Sequence, residues 1–171
     1  MLGHKMKTWI LITLLLSPLL THPSQENELE LNKIRARFTN TLRENRTNAL
    51  AIVSQKLQSG TPLEKDAALY VIEDELLLEL VPFVIDTVTD ITPAPRYDDT
   101  GWTYIGRHAA WVIAHIIVKV DNNWLKQYGL NIDRTLMQIC NDESREKVKS
   151  LWTEWWQHYQ NKTRPKPNSG H

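Results

Sequence analysis

The chain has 171 residues, 42% of them hydrophobic and 23% charged, with a formal net charge of zero at pH 7. That length and composition suit one soluble domain with a core of its own. The neutral balance argues against a protein built mainly to coat nucleic acid, which needs a basic excess.

The N-terminus, "MLGHKMKTWILITLLLSPLLTHPS", has two early lysines (Lys5, Lys7), an apolar run from Trp9 to Leu20, and then Thr, His, Pro and Ser. This is the pattern of a secretory signal peptide over residues 1–24. The apolar run is short of the roughly 20 residues that an ordinary transmembrane helix needs. No A-x-A site marks the cut, which is expected between Thr21 and Gln25, and Met6 offers a second possible start. The expected location is secreted or periplasmic, with membrane contact only in transit; an uncleaved N-terminal anchor is the other reading.

From residue 26 onward the apolar residues recur at helical spacing and strand signals are nearly absent. A first helix is expected over 28–44, with Leu31, Ile34, Phe38 and Leu42 on one stripe, and a second over 48–58, with Leu50, Val53 and Leu57 facing in. Thr61, Pro62 and Glu64 form a capping box with proline at the first helical position, which predicts a helix to about residue 74. Pro82 suits the first turn of a helix to about residue 90. "ITPAPRYDDTGW" cannot be regular structure, because Pro93, Pro95 and Gly101 break it. Helices are then expected over 102–119, 123–128 and 132–140. The last helix is expected over 142–160, capped by Asn141 or Asp142, with Val148, Leu151, Trp152, Trp155 and Tyr159 as its apolar stripe. Residues 161–171 read as a disordered polar tail.

Charge is uneven along this order. Ten acids between residues 64 and 99 (Glu64, Asp66, Glu73, Asp74, Glu75, Glu79, Asp86, Asp90, Asp98, Asp99) meet only Lys65 and Arg96 there. Between residues 33 and 46, Lys33, Arg35, Arg37, Arg43 and Arg46 meet only Glu44. Such runs read either as two solvated faces or as an acidic surface that recruits a basic partner. The single cysteine, Cys140, excludes an intramolecular disulfide and a zinc site of paired cysteines, and after "LMQI" it reads as a buried thiol. Asn45 and Asn161 head N-x-[ST] sequons, which matter in a source that glycosylates.

"DAALYVI" at residue 66 and "HAAWVIAHI" at residue 108 align at an offset of 42, Ala67 with Ala109 and Ala68 with Ala110. Small residues let one helix approach the next closely, while aliphatic residues fill the layer between them. With "EKDAALYVI", "LVPFVIDTVTD", "IGRHAAWVIAHI" and the Trp-rich "KSLWTEWWQHYQNK", the chain resembles the HEAT-like (HEAT/armadillo-type) helical repeat family, of the exported bacterial type, over about residues 48–160. The resemblance implies an all-α fold over 26–160. It would be a short right-handed α-solenoid of about three hairpins (28–58, 62–90, 102–140) with a Trp-rich capping helix (142–160).

Tyr104, His108, Trp111 and His115 recur at intervals of 4, 3 and 4, opposite a core stripe of Ile105, Ala109, Val112 and Ile116. His108 and His115 lie seven residues apart, about 10 Å along a helix, too far to hold one metal ion between them. The stripe packs on a neighbouring helix, or else, with Trp102 and Arg107, forms a partner-binding surface of Tyr, Trp and Arg anchors. Asp98 and Asp99 read as turn formers. "EDE" at 73–75 lacks the spacing of an EF-hand. No nucleophile elbow, phosphate loop or H-E-x-x-H motif is present.

The expectation is a monomeric, non-enzymatic scaffold for a protein partner of basic character, with no cofactor, metal, catalytic residue or nucleic acid. The alternatives are an enzyme or small-ligand binder using His108, Trp111 and His115 beneath the 91–101 loop, and an envelope protein held by an uncleaved N-terminus.

Overall fold

Thr61 shows how local chemistry starts a helix in this chain. In the computed structural model, which describes residues 23–95, 104–127 and 144–164, Glu64 N donates to Thr61 Oγ1 at 3.3 Å and Thr61 N donates to Glu64 Oε2 at 2.8 Å. The expected capping box is therefore made in both directions, with Pro62 in the first turn. It begins α3 (Pro62–Asp74), which follows α1 (Pro23–Glu44) and α2 (Arg46–Ser59). Asn45 separates α1 from α2 and caps the latter, its Oδ1 accepting from Asn48 N at 3.0 Å.

Helix α3 ends with Leu76 in the left-handed region (φ 50°), and Leu77 N donates back to Ile72 O at 3.0 Å. Glycine is the usual residue at such a stop; here the turn carries the fully buried Leu77 into the core. A 3-10 turn (Leu78–Leu80) leads into α4 (Val81–Thr87), with Pro82 in its first turn as expected. Helix α4 stops short of the expected residue 90. Asp90 is drawn aside instead, its carboxylate accepting from Lys65 Nζ at 2.6 Å and from Thr92 N at 2.8 Å.

The next helix, α5 (Ile105–Gln127), starts three residues later than the sequence suggests. Its entry is pinned by backbone: Ile105 N donates to Thr92 O at 2.9 Å, Gly106 N donates to Asp90 O at 3.0 Å, and Pro93 pairs with Tyr104 in a single antiparallel bridge. A Cβ at Gly106 would collide with the Val88 carbonyl oxygen, so only glycine lets α5 come this close. The expected helices over 102–119 and 123–128 are two parts of α5, broken at Asp121 (φ −150°, ψ 49°). The last helix, α6 (Arg145–Thr163), is capped by Ser144, which accepts from Lys147 N at 3.4 Å, rather than by Asn141 or Asp142. It runs past residue 161, where a disordered tail was expected. The signal-peptide pattern through residue 22, Trp102, the helix expected over 132–140 and Cys140 lie outside the described residues.

The described chain is all-helical. Helices α1, α3 and α5 pack side by side, α2 packs on α4, and α6 lies against both α4 and α5. Asp66 meets His108 and Glu73 meets His115, each across 42 residues, so α3 and α5 run parallel in the register of the sequence repeat. Helix α6 runs parallel to α5: Arg145 sits over the Tyr104 ring at one end, and Lys162 reaches Asp121 at the other.

The alanine pairs do what their size predicts. Ala67, Ala68 and Ala109 are fully buried and Ala110 nearly so. Ile105, Val112 and Ile116 are buried beside them, as the core stripe predicts. Leu31, Phe38, Val53 and Leu57 are buried, while Ile34, Leu42 and Leu50 pack partly buried at the edge. Trp152 and Trp155 are buried and seal α6 onto the core, with Leu151, Trp156 and Tyr159 partly covered around them.

Candidate functional site: the seam between α3 and α5

The seam is built from two carboxylates on α3 and two imidazoles on α5. His108 donates from Nδ1 to Asp66 Oδ1 at 2.6 Å, with both side chains sealed, 1% and 3% exposed. An ionised carboxylate only accepts, so the ring nitrogen facing it carries the proton. His115 donates from Nδ1 to Glu73 Oε1, and this pair is more open, 34% and 17% exposed. The Tyr70 ring packs on His108 at 4.5 Å between centroids, and Trp111 packs on His115 at 4.3 Å. Arg35 of α1 covers the far side of the seam, its guanidinium 4.7 Å from the Tyr70 ring centroid and bonded to Asp74 at 2.7 Å.

Burial pushes the Glu73 carboxyl up, but the hydrogen bond and charge of His115, helped by His108 and Lys119, hold it below the ordinary glutamate range. Lys119 also donates to the Glu73 carbonyl at 3.1 Å, placing a cation at the C-terminal end of α3, where the helix dipole favours it. Burial opposes ionisation of Asp90 as well, and Lys65 and Thr92 overcome it, so that carboxyl is also held low.

These contacts place the stripe of residues expected to bind a partner. His108 is buried against α3 and belongs to the seam, so it offers nothing to an outside partner. Tyr104, Arg107, Trp111 and His115 are half-buried. Helical spacing within α5 does not point to Asp66 or Glu73 as partners of the histidines. The signal was present: the repeat offset that aligns the alanines also aligns Asp66 with His108 and Glu73 with His115.

Most described acids of the acidic run stand in ion pairs, several of them at the surface. Glu64 pairs with Lys56 at 2.7 Å, Asp74 with Arg35 at 2.7 Å, Glu79 with Arg46 at 2.9 Å, Asp86 with Lys149 at 2.9 Å and Asp90 with Lys65 at 2.6 Å. Adding Asp66 and Glu73, Glu75 alone among the described acids of this run has no such partner. Arg35 and Arg46 come from the basic run, so two of these pairs join the two uneven segments, and the other bases come from elsewhere in the chain. "EDE" divides likewise: Glu73 turns to α5 and Asp74 to α1. No cluster of three or more His, Cys, Asp or Glu able to hold a metal ion occurs among the described residues. No helix among them is long and apolar enough to cross a membrane.

What this arrangement does chemically is to lock two helices in one register. Comparison of the chain with protein-family models, with curated proteins and with solved structures finds no match.

Proposed function

We propose that this chain is an exported, non-enzymatic repeat protein of the HEAT-like kind, a short α-solenoid that binds another protein through its outward helix faces. One observation carries the reading. Four polar contacts along the row α1, α3, α5 and α6 span similar chain distances: Arg35–Asp74 spans 39 residues, Asp66–His108 and Glu73–His115 span 42, and Asp121–Lys162 spans 41. Stacked helical units of roughly 40–47 residues make contacts of this kind. Such units bury their apolar faces only against one another.

The surface that fits a partner is the outer edge of α5, where Tyr104, Arg107, Trp111 and His115 are half-exposed. Tyrosine, tryptophan and arginine are frequent anchors of protein interfaces. Most described acids of the acidic run already have a basic partner within the chain, which favours recognition through these aromatic and arginine side chains. The competing reading, a ligand site built on His108, Trp111 and His115, has less support because both imidazoles are engaged by carboxylates of α3.

Affinity capture from the envelope fraction tests the scaffold reading, with the intact chain compared against Arg107→Ala and Trp111→Ala. Loss of the same partner from both variants, with helicity unchanged, supports this face as the interface. Retention of every partner by both variants overturns it. N-terminal sequencing of the exported chain tests the export reading: a new terminus between residues 21 and 25 supports it, and an intact N-terminus overturns cleavage.

A further inference from the structure

Asp121 combines three features. It breaks α5, its backbone leaving helical geometry at φ −150° and ψ 49°. It is buried, at 5% exposure. And its two carboxylate oxygens are treated differently: Oδ1 accepts from Lys162 Nζ at 2.7 Å, while the buried Oδ2 has no hydrogen-bond partner among the described residues. A buried acceptor left without a donor is costly, and native structures keep few of them.

A donor is close by. His158 lies one turn before Lys162 on α6, and its Nε2 is 4.0 Å from Asp121 Oδ2, just beyond hydrogen-bond range. Its side chain is 46% exposed, which leaves room for the small movement needed. We propose that Asp121 and His158 form an acid-strengthened latch that ties α6 to the break in α5. In the imidazolium form both ring nitrogens carry protons, so Nε2 donates to Oδ2 and completes the coordination that Lys162 begins. In the neutral form Nε2 can be an unprotonated acceptor, which a carboxylate oxygen repels.

Several other charged groups on the surrounding elements are held elsewhere. On α5, Lys119 is held by the Glu73 carbonyl, His115 by the Glu73 carboxylate, and Lys126 lies beyond the break. On α4, Asp86 is paired with Lys149, nine residues and about 13 Å along α6 from His158. On α6 itself, Glu154 stands one turn before His158, a spacing at which the two side chains can also interact. The experiment therefore has to separate Glu154 from Asp121.

The test compares thermal midpoints of the full chain at about pH 8 and about pH 5.5, the range in which imidazoles gain their proton. The stability gap between the parent and His158→Gln is expected to widen by about 2–4 °C on acidification. Glu154→Gln keeps that widening, and His158→Gln made in an Asp121→Asn background shows none. The other histidines are common to parent and variant and cancel in the gap. An equal gap at both pH values overturns the latch. So does a widening that disappears with Glu154→Gln, which would assign the histidine to Glu154 instead; this arm stands even where Asp121→Asn fails to fold.

Discussion

Asp66–His108 and Glu73–His115 join the same two helices across the same 42 residues, yet one pair is sealed in the seam and the other stands half open to water. The chemistry is nearly identical and the surroundings are not, so the pairs separate the effect of pairing from the effect of burial. In the sealed pair each group has lost its hydration, and the partner is what offsets that loss. At the more open pair water reaches His115 more than Glu73, and the net contribution of the contact is smaller.

The largest test of this contrast is His108→Ala, which leaves the Asp66 carboxylate buried without its donor. A loss of about 3–5 kcal/mol is expected, read from the urea midpoint. Replacing both members by leucine should recover much of that loss, since a buried pair is often no better than apolar side chains of similar volume. If the double variant falls as far as the single one, shape rather than charge governs the site.

A smaller loss, about 1–3 kcal/mol, is expected for Gly106→Ala, because the new methyl group pushes the start of α5 away from the Val88 carbonyl. This variant sharpens the comparison by loosening the seam without touching either pair. It should weaken the sealed pair, whose His108 lies two residues further on, more than the open one. Amide hydrogen exchange along α5 reads that difference.

His115→Ala should cost at most about 1 kcal/mol. A cost equal to that of His108→Ala would break the distinction between the two pairs.

The smallest effect is one of pH. The folded-state pKa of Glu73 is depressed below its ordinary value of 4.5, so its stabilising contribution is fully present above that value. The contribution is lost as pH falls through the lower, folded-state pKa. The stability difference between the parent and Glu73→Gln should therefore shrink on acidification from neutral to about pH 3. Denaturant titrations at several pH values check the direction, and a difference that grows with acid would contradict it.

Much of the fold could be read before any coordinates because its causes are local. Thr61, Pro62 and Glu64 act within one helical turn, and their capping box starts α3 at the expected residue. The apolar stripes of α1, α2 and α6 mark the faces those helices bury, since each stripe is a periodic property of a single segment. The starts of α5 and α6 were misjudged for tertiary and local reasons respectively. Carbonyls of the 90–92 turn take the first donors of α5, and Ser144 provides a cap for α6 closer to the helix than Asn141 or Asp142.

The candidate site was legible only in part. His108 and His115 both meet α3, whereas Tyr104 meets Arg145 of α6, and helical spacing alone does not say whether a residue faces a partner or the next helix. His108 turned out to be sealed and His115 half open, although both belong to the same periodic pattern. Counting charges along the chain likewise cannot register that Arg35 meets Asp74 and Arg46 meets Glu79.

By itself, the sequence determined where α3 and α4 begin, which faces most helices bury and the spacing of 42 that relates α3 to α5. Those properties come from neighbours within a few residues, or from self-similarity that needs no coordinates to see. Only the tertiary structure decided which carboxylate meets which cation, how much water each pair keeps, and that a buried aspartate interrupts α5. These depend on the space left when helices distant in the chain pack together, and desolvation makes otherwise similar residues differ once that space is fixed.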